Sequence, residues 1–241
     1  MKWAVSKDFM PIIPDDKESP LIMATRRLAP PEVQPKSFDW SADSATKVAF
    51  WLGKYPEARK QSAVIPLLWL AQKQDGWVSE PALRKIAVDL AMAYIRVYEV
   101  ATFYTMFHLA PVGKHHLQVC GTTPCMLRGS GDLIGVCQTR IGNHHHVTPD
   151  GLFSWEEMEC MGACVNAPIV AIHDYYYEDL TAESFNALLD DLAAGKDVTP
   201  GSAIGRLASA PEGGPNVLQD AALFDGSLAK KIKVPNLPEK A

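Results

Sequence analysis

Two pairs of cysteine residues are the part of this sequence best suited to chemistry. Cys120 and Cys125 form a C-x4-C pair, and Cys160 and Cys164 form a C-x3-C pair. Each pair lies where a predicted strand runs into a loop, and loops at the same edge of an α/β sheet converge. Four thiolates brought to one point are ligands for a zinc ion or for an iron–sulfur cluster.

The spacing of the cysteines separates the chemistries that four thiols could perform. A catalytic dithiol of the thioredoxin kind requires C-x-x-C, which this sequence lacks. Two structural disulfides would require an oxidising compartment. A structural zinc site uses spacings of about two to four residues, so it stays open. Two iron atoms bridged by sulfide span a wider site than one zinc ion, and the longer spacings therefore favour an iron–sulfur cluster.

Other polar residues are assigned no chemistry. Cys137 lies outside both cysteine pairs in a predicted helix, where a lone cysteine is most often a small buried hydrophobic residue. The histidine run 144–146 falls in a loop, and consecutive side chains there point in different directions, so we expect it to be solvated. Asp174, Glu178 and Asp179 form a small acidic group beside three tyrosines, and we expect a hydrated turn.

The elements that precede the cysteines read as helices. Residues 37–106 predict four short amphipathic helices that bury their apolar faces against one another as a small bundle. Glycine and serine signals mark their limits. The first expected helix is capped by Ser41 or Asp43 and ends at about Leu52, and the second spans about Ser62 to Gln74. The third begins after Ser79, and the fourth spans about Val97 to Thr105.

The segment that carries the cysteines changes to mixed patterning. Strands are predicted at 115–119, 153–159 and 169–173, where apolar and polar residues alternate or a short apolar run stands alone. A helix is predicted at about 125–141, although its glycines weaken it, and another begins after Thr181. This order of elements predicts a small α/β domain with a mixed sheet.

Both ends of the chain are rich in proline and poor in periodic apolar residues. Residues 1–36 contain six prolines and residues 200–241 contain five. Such segments cannot offset the entropy of ordering a chain. We therefore expect an extended N-terminal arm at 1–36 and an extended C-terminal tail at 200–241.

The overall composition excludes several classes of protein. The chain has 241 residues, 47% of them hydrophobic, and a net charge of −5, which disfavours a nucleic-acid-binding protein. The longest apolar run, 63–71, is far shorter than the ~20 residues of a membrane-spanning helix. The first residues lack the features of a secretory signal and contain acids that mitochondrial presequences avoid. We therefore expect a cytoplasmic protein without membrane insertion.

Several segments, in the same order, closely resemble the 24-kDa-type [2Fe-2S] subunits of NADH:quinone oxidoreductase (respiratory complex I), a thioredoxin-like [2Fe-2S] ferredoxin family. The resemblance covers residues 37–195. It is carried by both cysteine pairs and by these segments: VYEVATFY at 97–104, RG at 128–129, TPDG at 148–151, ECMGAC at 159–164, AP at 167–168 and YYEDLT at 176–181.

The resemblance implies a fold and a ligand set. It implies an α+β fold, with a helical bundle at 37–106 and a thioredoxin-like α/β domain at 107–199, flanked by the two extended arms. It makes Cys120, Cys125, Cys160 and Cys164 the ligands of one [2Fe-2S] cluster and leaves Cys137 without a role. Arg128, close after Cys125, is our candidate for a cation near the sulfurs.

The resemblance also implies a function. It predicts an electron-transfer subunit of NADH:quinone oxidoreductase, a proton-translocating enzyme of the respiratory chain. FMN and NADH would bind to a partner flavoprotein subunit, and the large iron–sulfur subunit of the same complex would be a second partner. The absence of a G-x-G-x-x-G or Walker loop from this chain agrees with that division. The expected location is the peripheral arm, on the cytoplasmic side of a bacterial inner membrane.

Three alternatives remain at this point. The first is the equivalent [2Fe-2S] subunit of an NAD-dependent formate dehydrogenase or hydrogenase. The second is an interaction module held together by zinc, with no redox role. The third is a thiol–disulfide oxidoreductase on a thioredoxin-like scaffold, which the missing C-x-x-C disfavours.

Overall fold

The computed structural model describes residues 26–214, 216–223 and 225–227 of the chain. The chain separates into two compact units, with the division between Pro111 and Val112. The outer parts of both predicted arms, residues 1–25 and 228–241, lie outside the described residues. The domain limits derived from the sequence stay predictions.

The first unit is helical. Within its described residues, four α-helices follow one another, and a 3-10 turn at Glu57–Ala63 precedes the second of them. The helices are α1 (Ala42–Leu52), α2 (Val64–Asp75), α3 (Glu80–Leu90) and α4 (Tyr94–Phe103). This confirms the N-terminal helical bundle of the predicted α+β fold.

Caps mark the start of α1, the start of α3 and the end of α2 where the sequence predicts them, whereas α4 begins at Tyr94, before the predicted Val97, without a side-chain cap. The Ser41 hydroxyl accepts a hydrogen bond from the N–H of Ser44, and the Ser79 hydroxyl accepts one from the N–H of Ala82. Each cap satisfies a helix donor that would otherwise have no partner. Helix α2 ends at Gly76, whose φ of 83° is left-handed, a conformation that glycine adopts without steric cost.

Helix α2 begins at Val64, later than the predicted Ser62. Proline lacks an N–H, and only the first turn of a helix has N–H groups that need no partner inside the helix. A start at Val64 keeps Pro66 inside that first turn. A start at Ser62 would require a hydrogen bond from the Pro66 nitrogen, so the preceding residues adopt the 3-10 turn instead.

The helices of the first unit share one apolar core. Fully buried side chains on three successive helices contribute to it: Leu67, Leu68, Leu83, Ile86 and Val97. Burying a side chain of this size is worth about 1.5–3 kcal/mol, so mutual burial of the apolar faces accounts for the stability of helices this short.

The second unit contains a sheet and three helices. Within its described residues the order is β1 (His115–Cys120), α5 (Thr123–Leu127), α6 (Ser130–Arg140), β2 (Phe153–Met158), β3 (Val170–Ile172), β4 (Tyr175–Glu178), α7 (Ala182–Ala193) and β5 (Gly201–Ser202). A 3-10 turn at Cys164–Asn166 lies between β2 and β3.

The five strands form one mixed sheet in the order β2-β1-β3-β4-β5. Strands β1 and β2 are parallel, β3 is antiparallel to β1 and to β4, and β5 is parallel to β4. Cys120, the last residue of β1, is paired with Met158, the last residue of β2. The mixed sheet of the predicted α+β fold is confirmed, and the register places the ends of β1 and β2 side by side.

The segment after Cys125 forms two helices where the sequence predicts one. The break falls at Gly129, whose φ of 102° is left-handed and therefore incompatible with a continuous right-handed helix. Gly131 and Gly135 lie inside α6, so glycine weakens the helix without ending it there. The break leaves Cys125 on a short helix of its own.

Two strands are not predicted from the sequence. Strand β4 lies in the tyrosine run, where only Tyr177 is buried and no alternation marks a strand. Strand β5 has two residues and lies in the segment predicted as an extended tail. Strand β4 forms a tight hairpin with β3, and consecutive tyrosines hide the alternation that would mark it. Strand β5 depends on pairing with β4, and a partner distant in sequence leaves no local pattern.

The core of the second unit lies where the sheet packs against α6 and α7. Its buried side chains include Leu117, Leu133, Trp155 and Phe185. The Trp155 indole N–H donates to the carbonyl of Gly142 at 2.8 Å, which gives this buried polar group a partner.

Among the described residues, no helix has the length and apolar composition needed to cross a bilayer.

Close approach of two backbone segments requires glycine at position 113. The Gly113 N–H donates to the Ser154 hydroxyl at 2.8 Å, and a Cβ on residue 113 would lie 2.4 Å from the carbonyl carbon of Phe153. We expect Gly113→Ala to lower the free energy of unfolding by about 2–3 kcal/mol, because two backbones must separate. Chemical denaturation measures the loss.

Gly135→Ala is the matched control for this substitution. Its Cβ would meet no atom within 4 Å, and alanine is favoured over glycine inside a helix by about 0.5–1 kcal/mol. We expect this variant to be as stable as the parent or more stable. A Gly113→Ala protein with the parent's stability would contradict the close approach.

Candidate metal centre

The two cysteine pairs meet at one edge of the sheet. Because β1 and β2 are adjacent and parallel, their carboxyl ends lie together. Cys120 ends β1, and Cys160 comes shortly after Met158 at the end of β2. The two strand ends from which the cysteine loops start are therefore neighbours in the sheet.

Backbone hydrogen bonds fix the first loop. The N–H of Cys120 donates to the carbonyl of Ile169 at 3.1 Å, and the N–H of Gly121 donates to the carbonyl of Met158 at 3.0 Å. Helix α5 then carries Cys125 back toward Cys120, and both side chains are buried. The first pair is thus tied to β2 and to the segment before β3.

The second loop turns at Gly162, whose φ of 83° is left-handed. Cys164 begins the 3-10 turn that follows, and its sulfur lies 3.3 Å from the sulfur of Cys160. A disulfide bond is about 2.05 Å long, so these are two separate thiols. All four paired cysteines and Cys137 are free.

Thr122 connects the two pairs. Its hydroxyl oxygen lies 3.4 Å from the Cys120 sulfur, and the same hydroxyl forms a hydrogen bond with Cys160. The charge of Cys120 acts on Cys160, and that of Cys164 acts on Cys125. The four predicted ligands therefore form one interacting group.

Within the first pair, burial and hydrogen bonding shift the two thiols in opposite directions. Burial raises the pKa of Cys120, but hydrogen bonds from Thr122, from the Met161 N–H and from Cys125 outweigh it, so the pKa falls below its usual value. Burial, followed by the hydrogen bond to Cys120 and its charge, raises the pKa of Cys125 to about 12. Within this pair Cys125 is therefore the hydrogen-bond donor and Cys120 the acceptor.

The second pair is similarly unequal. The N–H of Gly162 and the thiol of Cys164 donate to Cys160, and both contacts lower the pKa of Cys160. The hydrogen bond to Cys160, with burial and the charges of Cys160 and Cys120, raises the pKa of Cys164. The left-handed turn at Gly162 thus supplies an N–H group that favours the thiolate form.

This donor set fits a metal centre with four sulfur ligands. Thiolates are the metal-binding form of cysteine, and N–H donors from Thr122, Met161, Gly162 and Ile169 already face the sulfurs. Ala167 and Ile169 pack against the buried pair as an apolar wall. Such donors and apolar surroundings set the potential of an iron–sulfur cluster.

Other residues considered from the sequence lie apart from this set. Cys137 is fully buried in the core of the second unit, and burial raises its pKa to about 12. Arg128 is exposed at the end of α5, and its role as a cation near the sulfurs stays a prediction. The histidines at 144–146 are exposed, as expected, and the His144 ring packs against Trp155 with centroids 4.1 Å apart.

Of the three acidic residues beside the tyrosines, Asp174 is exposed in the turn between β3 and β4, as predicted, whereas the other two are not part of a hydrated turn. Asp179 is buried and forms an ion pair with Arg206, and Glu178 accepts a hydrogen bond from Asn166 at 2.6 Å. An acid is buried at little net cost when it is paired and hydrogen-bonded. For Glu178 and Asp179 the expectation is wrong, because their partners Asn166 and Arg206 come from other parts of the chain.

Sequence reasoning also missed residues just outside the thiols. The Tyr176 hydroxyl donates to the carbonyl of Met161 at 3.0 Å, which ties strand β4 to the second cysteine loop. Asn166, at the end of the turn that begins at Cys164, is buried. For the ion pair of Asp179 the sequence contains one signal, because Arg206 is the only arginine of the 200–241 segment.

The unequal thiols predict an order of alkylation in the metal-free chain. Cys160 is exposed and its pKa is lowered, so a larger share of it is thiolate near neutral pH, and the thiolate is the reactive form. We expect iodoacetamide to modify Cys160 first, and Cys125 and Cys137 only after unfolding. Peptide mass spectrometry over time measures the order. Equal labelling of Cys137 and Cys160 would contradict the assigned burial.

Known proteins similar to this chain bear names from respiratory enzymes. A protein of Rhizobium meliloti strain 1021, named as a subunit of NADH-quinone oxidoreductase, is 53% identical over 201 residues, covering 82% of this chain and 73% of that protein. NADH dehydrogenase [ubiquinone] flavoprotein 2, mitochondrial, of Dictyostelium discoideum is 45% identical over 185 residues, covering 76% of this chain and 75% of that protein.

A solved structure of NAD+-reducing [NiFe]-hydrogenase in the H2-reduced state has a TM-score of 0.48 and 17% identity, over 54% of this chain and 22% of that chain. The family described as thioredoxin-like [2Fe-2S] ferredoxin matches residues 48–193, which span all four paired cysteines. This chain therefore belongs to the thioredoxin-like [2Fe-2S] ferredoxin family.

Proposed function

We propose that this chain is the [2Fe-2S] electron-transfer subunit of an NADH:quinone oxidoreductase, with Cys120, Cys125, Cys160 and Cys164 as the cluster ligands. The observation that supports it best is the meeting of four free thiols at one sheet edge, in a chain 53% identical to a protein named as a subunit of that enzyme. Family membership favours this cluster over a zinc ion.

The residues around the thiols have defined tasks in this function. The bound cluster supplies one-electron chemistry. Hydrogen bonds from Thr122, Gly162 and Ile169 to the sulfurs stabilise negative charge and so favour the reduced form. Burial of Cys120 and Cys125 keeps water from one side of the site, whereas exposure of Cys160 leaves the other side open to a partner protein.

The partners follow from the chemistry that this chain lacks. The sequence contains no G-x-G-x-x-G or Walker phosphate loop, so hydride chemistry belongs to another subunit. We assign FMN and NADH to a flavoprotein subunit that approaches the exposed Cys160 side. The large iron–sulfur subunit of the same complex is the second partner. The chain then lies in the peripheral arm of the complex, on the cytoplasmic side of a bacterial inner membrane.

Serine substitutions test the ligand assignment. Cys125→Ser and Cys160→Ser are each expected to lose most of the iron and acid-labile sulfide, because a hydroxyl is a poor ligand for iron. Cys137→Ser is the matched control and should keep both near the parent's content. The measurements are iron and sulfide analysis and EPR of the dithionite-reduced full chain. A zinc protein would instead be colourless and would contain no sulfide.

Co-purification tests the complex. An affinity tag on the chain in its native host should recover a flavoprotein together with membrane subunits that reduce quinone. Recovery of a formate dehydrogenase or hydrogenase subunit without quinone reductase activity would contradict the proposed complex. That outcome would leave the cluster assignment intact, because the serine variants test it separately.

A further inference from the structure

The segment after α7 returns to the cysteine side of the second unit. Residues 201–208, here called the C-terminal strap, begin with β5, which pairs in parallel with β4. The N–H of Ala203 donates to the carbonyl of Glu178 at 2.9 Å. The strap thus extends the sheet at the edge farthest from β2.

A buried ion pair holds the strap in place. The guanidinium of Arg206 donates two hydrogen bonds to the Asp179 carboxylate, one of them from Nε at 3.0 Å. The Ser202 hydroxyl donates to the same carboxylate at 2.6 Å and accepts the N–H of Arg206 at 3.2 Å. The side chains of Arg206 and Asp179 are only 11% and 3% exposed. Charge-assisted, bidentate pairs of this kind are strong and directional.

Asn166 links this network to the second cysteine pair. It ends the 3-10 turn that starts at Cys164, and the residue is 3% exposed. Its amide nitrogen donates to Glu178 at 2.6 Å and to the carbonyl of Ala208 in the strap at 2.8 Å. The backbone carbonyl of Asn166 accepts the N–H of Asp179 at 2.8 Å. One residue therefore contacts the strap and both neighbouring acids.

We propose that the C-terminal strap positions the cluster ligand Cys164, with Arg206, Asp179 and Asn166 as positioning residues. The turn that carries Cys164 is a single 3-10 turn of three residues, with backbone hydrogen bonds from Asn166 to Ala163 and from Ala167 to Cys164. The strap fixes it from outside through Asn166. Groups that orient a ligand govern how firmly a metal is held and how its electrons are distributed. The inference rests on the proposed function, because it takes Cys164 to be a cluster ligand.

The test compares Arg206→Ala with two controls in the full, cluster-loaded chain. Arg140→Ala removes an arginine that also joins two elements. Arg140 lies on α6 and donates a hydrogen bond to Asp190 on α7 at 2.6 Å, outside the strap. Leu189→Ala destabilises the same unit from its apolar core. The readouts are the rate of iron loss to a chelator, the EPR spectrum of the reduced protein and the melting temperature.

Arg206→Ala is expected to lose iron about 10- to 100-fold faster than the parent and to change the EPR spectrum. Arg206→Lys should restore part of the effect, since it keeps the charge but not the paired hydrogen bonds. Both controls should keep the parent's EPR spectrum, even where the melting temperature falls. If Arg206→Ala does not fold, Ser202→Ala weakens the same network and is expected to act in the same direction.

Two results would overturn this inference and leave the proposed function intact. One is a parental rate of iron loss and EPR spectrum in the strap variant. The other is an equal change in the strap variant and in Leu189→Ala, which would reduce the effect to general destabilisation. A parent chain that takes up no iron and sulfide would overturn the proposed function, and the inference with it.

Discussion

Four cysteine sulfurs can bind one metal centre only if they meet in space and give up their protons. The second unit meets the first requirement by placing β1 and β2 side by side and parallel, so that a thiol follows each carboxyl end. For the second requirement, N–H and hydroxyl donors favour the thiolate form at Cys120 and Cys160, whereas the pKa values of Cys125 and Cys164 are raised in the metal-free chain. The sheet register and the loop conformations therefore serve the same constraint.

The two cysteine pairs differ in burial and so contribute differently to the metal centre. Cys120 and Cys125 are buried, tied by backbone hydrogen bonds to β2 and to the segment before β3. Cys160 and Cys164 lie on a loop at the surface, which turns at one left-handed glycine. The first pair thus gives the site a rigid, dry wall, and the second gives it an accessible face. An electron carrier needs both, since its potential depends on burial and its exchange partners must come close.

The loop of the second pair needs support from outside because it contains little regular structure. Tyr176 holds it at Met161, and Asn166 holds the turn that follows Cys164. Asn166 in turn depends on the strap that Arg206 fastens. Residues that make no contact with a thiol can thus govern the metal centre through the ligands they orient.

The sequence alone determined the thiols, the helical first unit and the mixed sheet, because cysteine spacing, helix caps and apolar periodicity are local features of the chain. Only the tertiary structure decided strand β5, the contact of Asn166 with Ala208 and the burial of Asp179. Its partner Arg206 lies 27 residues away, and Ala208 lies 42 residues from Asn166. Pairings across such distances leave no periodic pattern, because they are selected by the geometry of the folded sheet rather than by neighbours in the chain.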